Sequence, residues 1–313
     1  MEAIIYKLSG LRIASDFPLF GVQVCQNDPG PPCDVLIRCG PIPDIFTSAT
    51  ARVCNGQVQH SGRYNGKELL LEFPTVGRFL LRAGKEIQID LAPSSDKDEV
   101  RAYLLGVVFG ALCHQRGITP LHASAIDVAD GCVTFVGDSG AGKSTLVAAL
   151  AQRGHQVITD DVCFMQTGTE ADTQVWPGIS RIRLWEDAKA ALGFDGPGVE
   201  REIYEYNKYF IPIGPPRNPI QSRRLRRVYQ LHRVPTGAPA LTRLHGAAAV
   251  EVLMQNVYAS RLAERLGYKP HAFIACTVVA RDVPVFRFSR PWDIAALGRG
   301  AEMLENHLST RVS

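Results

Sequence analysis

The chain has 313 residues, of which 46% are hydrophobic and 21% are charged, and its formal net charge is +3. This composition argues against intrinsic disorder, which requires low hydrophobicity and high net charge. The near-neutral charge argues against a general nucleic-acid binder, and the length predicts about two domains at roughly 150 residues each.

Targeting and cysteine patterns predict a cytoplasmic protein with no membrane partner. No apolar run reaches the ~18 residues that a membrane span needs, and residues 1–7 lack the basic start and long apolar stretch of a signal peptide. Of the eight cysteines, Cys25, Cys33, Cys39 and Cys54 come early in the chain at irregular spacing, without a Cys-x-x-Cys pair. This pattern argues against a zinc site and favours free thiols in a reducing compartment.

Residues 1–93 are predicted to form short strands, because β-rich runs follow one another at turn-length spacing. These runs lie at 34–38, 69–73, 78–82 and 86–91. They predict a small antiparallel sheet or barrel as an N-terminal domain. A boundary is expected at 93–96, followed by a helix from Lys97 to about Gln115 that Ser95 caps.

Residues 96–313 alternate strand and helix patterns, which predicts a second, α/β domain. Strands are expected at 121–128, 132–136, 156–164, 209–213, 227–231 and 283–288. Helices are expected at 143–153, 184–192, 247–266 and 292–308.

A phosphate-binding loop is the strongest motif in the chain. The run 137–144 matches G-x-x-x-x-G-K-[ST] throughout, with an apolar strand before it and a strong helix former after it. Its glycines let backbone N–H groups face phosphate oxygens, and the new helix adds its positive dipole end. Lys143, which we expect to face solvent, would neutralise the outer phosphates of ATP, and Ser144 would ligate Mg²⁺. The expected nucleotide contacts are Gly137, Asp138, Ser139, Gly140, Ala141, Gly142, Lys143, Ser144 and Thr145.

An acid pair, Asp160 and Asp161, ends the next apolar strand. Ligands gather at the carboxyl ends of strands in parallel α/β sheets, so both acids are expected beside the loop. One would assist Mg²⁺ binding and the other would accept the proton of a hydroxyl nucleophile. The alternative is a solvated strand end carrying two ordinary acids.

His122 is a further candidate on the strand that enters a predicted hairpin. A two-residue turn at Asp130 and Gly131 would place His122 opposite Ser139, within reach of the γ-phosphate. The alternative is a core histidine whose ring is hydrogen-bonded to the backbone.

The motifs together resemble the catalytic domain of HPr kinase/phosphorylase. The likeness lies in four elements in order: 121–124, the loop 137–144, the Arg-Gly-His run 153–155, and the acid pair. It implies a fold shared with ATP-type phosphoenolpyruvate carboxykinase and phosphoryl transfer to a serine hydroxyl. It further implies that His122, Lys143, Ser144, Asp160 and Asp161 are the working residues, with Asp160 as the base and Asp161 on the metal.

Two departures point to a divergent branch of that family. Thr145 stands where the carbohydrate-regulating enzymes usually carry an acid, and residues 214–218 only faintly match their later Pro-Gly-Arg-Asn loop. The β-rich N-terminal region and residues 283–288 are similar to the HPr-kinase-like proteins associated with lasso-peptide precursors.

The leading hypothesis is therefore an Mg·ATP-dependent serine kinase acting on a peptide or small protein. The alternatives are a kinase of free serine or another small hydroxyl metabolite, and a non-catalytic, nucleotide-gated binding module. The basic run 223–227 would steer an acidic peptide, or else forms a solvated strand. A homo-oligomer stays an open alternative.

Overall fold

The structure, a computed structural model, describes residues 3–25, 30–43, 61–168, 172–179, 181–201, 207–213, 221–291 and 293–310. Cys54 and the run 214–218 lie outside these residues. The chain divides into two compact units. The first unit comprises Met1–Pro120 and Tyr258–Ala272, and the second comprises Leu121–Val257 and Phe273–Ser313. Residues 93–96, where the sequence predicts a domain boundary, lie within the first unit.

An eight-stranded sheet dominates the first unit, with the strand order β3-β1-β2-β4-β8-β7-β6-β5. Its strands are β1 Ile4–Leu8, β2 Leu11–Ser15, β3 Gln23–Val24, β4 Val35–Cys39, β5 Ser61–Tyr64, β6 Glu68–Phe73, β7 Gly77–Arg82 and β8 Glu86–Leu91. The strands expected at 69–73, 78–82 and 86–91 are confirmed. The expectation of a purely antiparallel sheet is wrong, because β4 runs parallel to both β2 and β8.

Helices α1 Lys97–Tyr103 and α2 Phe109–Gln115 follow, joined by a π-helical segment at Leu104–Val108. The helical run to Gln115 is confirmed. Its cap is Asp96 rather than Ser95, because the Asp96 carboxylate accepts the N–H groups of Asp98 and Glu99. A short strand, β9 Thr119–Leu121, comes next.

A mixed sheet forms the centre of the second unit, with the order β12-β10-β11-β18-β14-β13 and with β20 between β18 and β19. Its strands are β10 Ala123–Val128, β11 Gly131–Val136, β12 Val157–Thr159, β13 Cys163–Thr167, β14 Thr173–Trp176, β18 Arg223–Val234, β19 Ala240–Leu244 and β20 Val285–Pro291. A separate small sheet contains β15 Arg181–Trp185, β16 Glu200–Arg201 and β17 Lys208–Pro212. Strands β11, β18 and β20 are parallel neighbours.

The core of this unit lies between the mixed sheet and two helices, α3 Lys143–Gln152 and α8 Leu297–Ser309. Rings from the three parallel strands stack in its middle. Phe135, Tyr229 and Phe286 follow one another at centroid distances of 5.7 Å. Removing such a buried ring costs about 3–5 kcal/mol, so this stack holds the parallel strands in register.

The hairpin of β10 and β11 differs from its predicted register. Val128 pairs with Gly131, so the two-residue turn is Ala129 and Asp130, and Ala123 pairs with Val136. The prediction was wrong because Gly131 serves another purpose. Its φ is 156°, and a Cβ there would lie 2.2 Å from the carbonyl oxygen of Arg224 on β18. Glycine is needed for that close approach rather than for the turn.

Three predicted elements are interrupted. The strand expected at 121–128 breaks at His122, which lies between β9 and β10 rather than on a strand. The strand expected at 156–164 splits into β12 and β13, because Asp161 has a left-handed backbone with φ 71°. The helix expected at 247–266 splits into α5 Gly246–Gln255 and α6 Ser260–Arg265, because Ala259 has a φ of 52°. The next helix, α7 Lys269–Asp282, was not predicted.

The remaining predictions are met with shifted boundaries. The short helix α4 spans Glu186–Ala191, and α8 is preceded by a 3₁₀ turn at Ile294–Ala296. All seven cysteines of the described residues are free thiols. Within the same residues, no helix has the length and apolarity that crossing a membrane requires.

Candidate active site

The loop 137–144 connects β11 to α3 and curls tightly at its glycines. Gly142 has a φ of 84° and stands directly before the first helical residue. Gly137 has a φ of 144°, and a Cβ there would lie 3.0 Å from the carbonyl oxygen of Leu231. A residue with a side chain would be strained in either conformation, so glycine is needed at both positions. The loop leads directly into α3, whose first N–H groups have no partner within the helix. Such a helix start binds anions.

Lys143 is buried at the floor of this loop, with an exposed fraction of 6%. Its ammonium donates to the carbonyl oxygens of Gly137 at 2.7 Å and Asp138 at 3.2 Å. The expectation that Lys143 faces solvent is therefore wrong, because the loop carbonyls draw the ammonium inward. Burial lowers the pKa of Lys143 to about 8, against the opposing attraction of nearby carboxylates.

Asp160 is the buried centre of a hydroxyl network. Its Oδ1 accepts hydrogen bonds from Ser144 at 3.0 Å and from Ser124 at 2.5 Å. Its Oδ2 accepts the backbone N–H of Arg183 at 2.9 Å. Burial raises the pKa of Asp160, and these hydrogen bonds oppose that rise. The prediction that the acid pair lies beside the loop is therefore confirmed for Asp160, which bonds Ser144 of the loop.

Asp161 is more exposed and lies beside His122. The His122 Nδ1 is 3.4 Å from the Asp161 carboxylate and 3.1 Å from its main-chain oxygen. Arg183 approaches the same carboxylate at 3.7 Å. Burial and then Lys143 lower the pKa of His122, against the attraction of Asp161. A neutral imidazole whose Nδ1–H donates to the main-chain oxygen of Asp161 is consistent with this geometry.

Asn256, which the sequence analysis did not single out, joins His122 to the loop. Its main-chain oxygen accepts the N–H of His122 at 2.8 Å, and its side-chain oxygen accepts the N–H of Gly137 at 2.8 Å. The Asn256 side-chain amide also donates to Val252 within α5. This one residue replaces the predicted cross-strand pairing of His122 with Ser139 as the contact that positions the histidine.

A cavity of about 1000 Å³ opens over the loop and gathers most of the predicted residues. His122, Ser139, Gly140, Gly142, Lys143, Ser144, Thr145 and Asp161 line it. Gly137, Ala141 and Asp160 are buried and do not line the cavity, and the exposed Asp138 does not line it either. Further lining residues are Arg183 and Trp185 of β15, Lys208 of β17, Arg233 of β18, Arg290 of β20 and Ile294 of the 3₁₀ turn before α8.

The basic run at 223–227 is engaged within the second unit rather than gathered at the cavity. Arg223, Arg224 and Arg226 form ion pairs with Asp127, Asp172 and Asp130, respectively. Arg227 donates to the main-chain oxygens of His307 and Thr310. These arginines tie β18 to its surroundings, which favours the structural interpretation of the run.

The residues present fit a magnesium ion bound together with phosphates. The Ser144 hydroxyl and the Asp160 carboxylate supply two hard oxygen donors 3.0 Å apart. Across the described part of the chain, no three His, Cys, Asp or Glu side chains form a cage for a metal. One hydroxyl and one carboxylate are the protein donors expected for Mg²⁺, which binds through one or two carboxylates plus substrate phosphates and water.

Comparison with solved structures gives structural neighbours of this chain. Neither a family model nor a curated protein matches the sequence. The chain is similar to the solved structure of the Hpr(Ser) kinase/phosphatase from Coxiella burnetii, at 15% identity and a TM-score of 0.32. The match covers 60% of this chain and 95% of that one.

Proposed function

We propose that this protein is an Mg·ATP-dependent phosphotransferase that transfers the γ-phosphoryl group to a serine hydroxyl of a peptide or small protein. One observation carries the proposal: a single cavity combines the loop of Lys143 and Ser144 with Asp161, while the buried Asp160 bonds Ser144. A binding module needs the loop alone, whereas transfer to a hydroxyl also needs a group that takes up its proton.

The loop at 137–144 would bind the phosphates of ATP. Its N–H groups and the Lys143 ammonium would hold the phosphates, and Ser144 and Asp160 would hold Mg²⁺. When bound, the ion would supply positive charge that neutralises the phosphates. The three hydrogen bonds to Asp160 fix its carboxylate in place, which suits a ligand that must keep one orientation.

Asp161 is the better candidate for the base, so we propose the reverse of the roles that the family resemblance implies. Asp161 lines the cavity, whereas Asp160 lies beneath it with its oxygens already engaged. The acceptor hydroxyl would give its proton to the Asp161 carboxylate as its oxygen bonds to the γ-phosphorus. The bond between the γ-phosphorus and the bridging oxygen breaks, and ADP leaves.

The acceptor would enter from the side of Asp161. Trp185 is 41% exposed there, and the Lys208 ammonium lies 4.5 Å from its ring centroid. An aromatic face with a neighbouring cation can hold a peptide segment in line with the γ-phosphate. The same pair, with Arg183, also favours a second candidate: a small acceptor that carries both a hydroxyl and an anionic group.

The test is incubation with Mg·ATP and two acceptor sets, a serine-containing peptide library and free L-serine. We expect peptides to gain one phosphoryl group by mass spectrometry. The Asp161→Asn variant should keep Mg·ATP binding and lose turnover, whereas Asp160→Asn should weaken Mg·nucleotide binding. Phosphorylation of free serine alone would establish the metabolite kinase. Nucleotide binding without transfer to any acceptor would overturn the proposal in favour of a binding module.

A further inference from the structure

Two arginines stand side by side at the edge of the sheet that carries the phosphate-binding loop. Strands β11, β18 and β20 are parallel neighbours, so their carboxyl ends meet at one edge. The loop follows β11 at that edge. Arg233 near the end of β18 and Arg290 near the end of β20 are direct register partners. Ligands of α/β sheets bind at such carboxyl ends.

Both guanidinium groups reach the loop. Arg233 donates to the carbonyl oxygen of Gly140, and Arg290 lies 3.5 Å from the carbonyl oxygen of Ala141. Both arginines line the same cavity as Lys143. Arg290 is buried with an exposed fraction of 5%, whereas Arg233 is exposed. Arg290 is thus packed into the protein, whereas Arg233 is accessible from the cavity.

The charges at this edge favour an anion. Burial and the neighbouring charge of Arg233 lower the pKa of Arg290 to about 10. Like charges on adjacent strands repel each other. The nearest acid along the chain, Asp293, accepts the N–H of Ala295 at 2.9 Å and caps the 3₁₀ turn. A polyphosphate bound over the loop would relieve the repulsion, since guanidinium groups bind phosphate oxygens in a bidentate manner.

We propose that Arg233 and Arg290 form an arginine pair that binds the terminal phosphates of the nucleotide, and that this pair stabilises the charge of the phosphoryl group in transfer. The inference rests on the proposed function for the nature of the ligand. It assigns to this chain, within one subunit, the role that an arginine supplied in cis or in trans has in other phosphoryl-transfer enzymes.

Nucleotide titration tests the pair without reference to turnover. ADP and AMP are titrated calorimetrically into the full-length protein in the presence of EDTA, because AMP lacks the β-phosphate. Arg233→Gln should weaken ADP binding about tenfold or more and leave AMP binding within twofold of wild type. Arg290→Lys keeps the charge but loses the planar fork, and should also weaken ADP binding selectively.

Arg243→Gln is the matched control, because Arg243 is an exposed strand arginine of the same sheet that does not line the cavity. It should bind both nucleotides as wild type does. ADP affinities within twofold of wild type in both Arg233→Gln and Arg290→Lys would overturn the inference and leave the proposed function standing. A wild-type protein that binds neither nucleotide would overturn both.

Discussion

Nucleotide binding should depend on pH through the ammonium of Lys143. Burial lowers the pKa of this group from its ordinary value of 10.5 to about 8. A phosphate placed against the ammonium favours its charged form, so the bound state has the higher pKa. Above about pH 8, binding must therefore be accompanied by the uptake of a proton, and affinity should fall as pH rises.

The magnitude follows from that pKa of about 8. The ammonium is charged in about nine-tenths of the free protein at pH 7 and in about one-tenth at pH 9. The association constant for ADP should therefore fall about tenfold across this interval. The interval lies above the second pKa of a phosphate group, about 6, so the ligand stays ionised. It also lies below the pKa of Arg290, about 10, so that side chain stays charged.

Stability of the free protein should change in the opposite direction. Between about pH 8 and pH 10.5 the unfolded lysine holds a proton that the folded one has lost. The unfolded state therefore binds more protons, and the free energy of unfolding rises with pH in this window. The pKa difference corresponds to about 3 kcal/mol. Lys143→Met should lack this rise.

Calorimetry in buffers of different ionisation enthalpy measures affinity and proton uptake together. Lys143→Arg keeps its charge at every pH in the interval, so it should lose the pH dependence. Lys269→Met is the control for stability, because Lys269 is exposed and lies outside the cavity. A wild-type affinity for ADP that stays constant from pH 7 to pH 9, without proton uptake, would refute the placement of a buried ammonium against the phosphates.

Three further substitutions test the network around the acid pair. Ser124→Ala removes one of two hydroxyl donors to Asp160 and should weaken Mg·nucleotide binding about tenfold, as measured by titration at fixed Mg²⁺. Gly178→Ala should lower the free energy of unfolding by about 1–3 kcal/mol in urea denaturation, because its Cβ would lie 2.1 Å from the Thr159 hydroxyl oxygen. Asp161→Gly should be about 1 kcal/mol more stable than Asp161→Ala, since residue 161 has a φ of 71°, and neither variant should transfer phosphate.

Each of these variants has a control. Ser309→Ala removes an exposed helix hydroxyl and should not change nucleotide binding. Gly298→Ala lies in α8 with open space around its Cβ and should raise stability by about 0.5–1 kcal/mol. Wild-type stability in Gly178→Ala would contradict the close approach at Thr159. Equal stability of the two Asp161 variants would contradict backbone strain at that residue. Unchanged Mg·nucleotide affinity in Ser124→Ala would show that Asp160 is held without it.

Local motifs were predictable from sequence because local chemistry dictates them. Strand β11 before the loop and helix α3 after it are confirmed, since glycine conformation and helix propensity act over neighbouring residues. The contacts that complete the site join distant residues. Asn256 and Gly137 are 119 positions apart, and Arg233 and Gly140 are 93 apart. No spacing rule within a sequence motif reports such pairs.

The hairpin register failed for a related reason. Asp130 and Gly131 are a strong sequence signal for a turn. The position of a glycine in the fold, however, also depends on contacts with residues that are distant in the sequence. Here the parallel strand β18 passes so close that only glycine fits at position 131. The turn moved one position toward the N-terminus as a consequence. Tertiary contact decided between two uses of glycine that look identical in the sequence.

The break after β12 shows how the fold places both acids next to the phosphate-binding loop. Along a regular strand, successive side chains point to opposite faces, so Asp160 and Asp161 would be separated. Strand β12 ends at Thr159 and Asp161 has a left-handed backbone, so the alternation does not continue through the acid pair. Asp160 then bonds Ser144 beneath the cavity while Asp161 lines it. The Thr159 hydroxyl donates to the Val162 carbonyl oxygen at 2.7 Å and closes the turn around the strained residue. Strain of this kind persists where the surroundings over-determine it, and it clusters at functional sites. Asp161 interrupts the strand predicted at 156–164, and it is also the residue that we propose as the base.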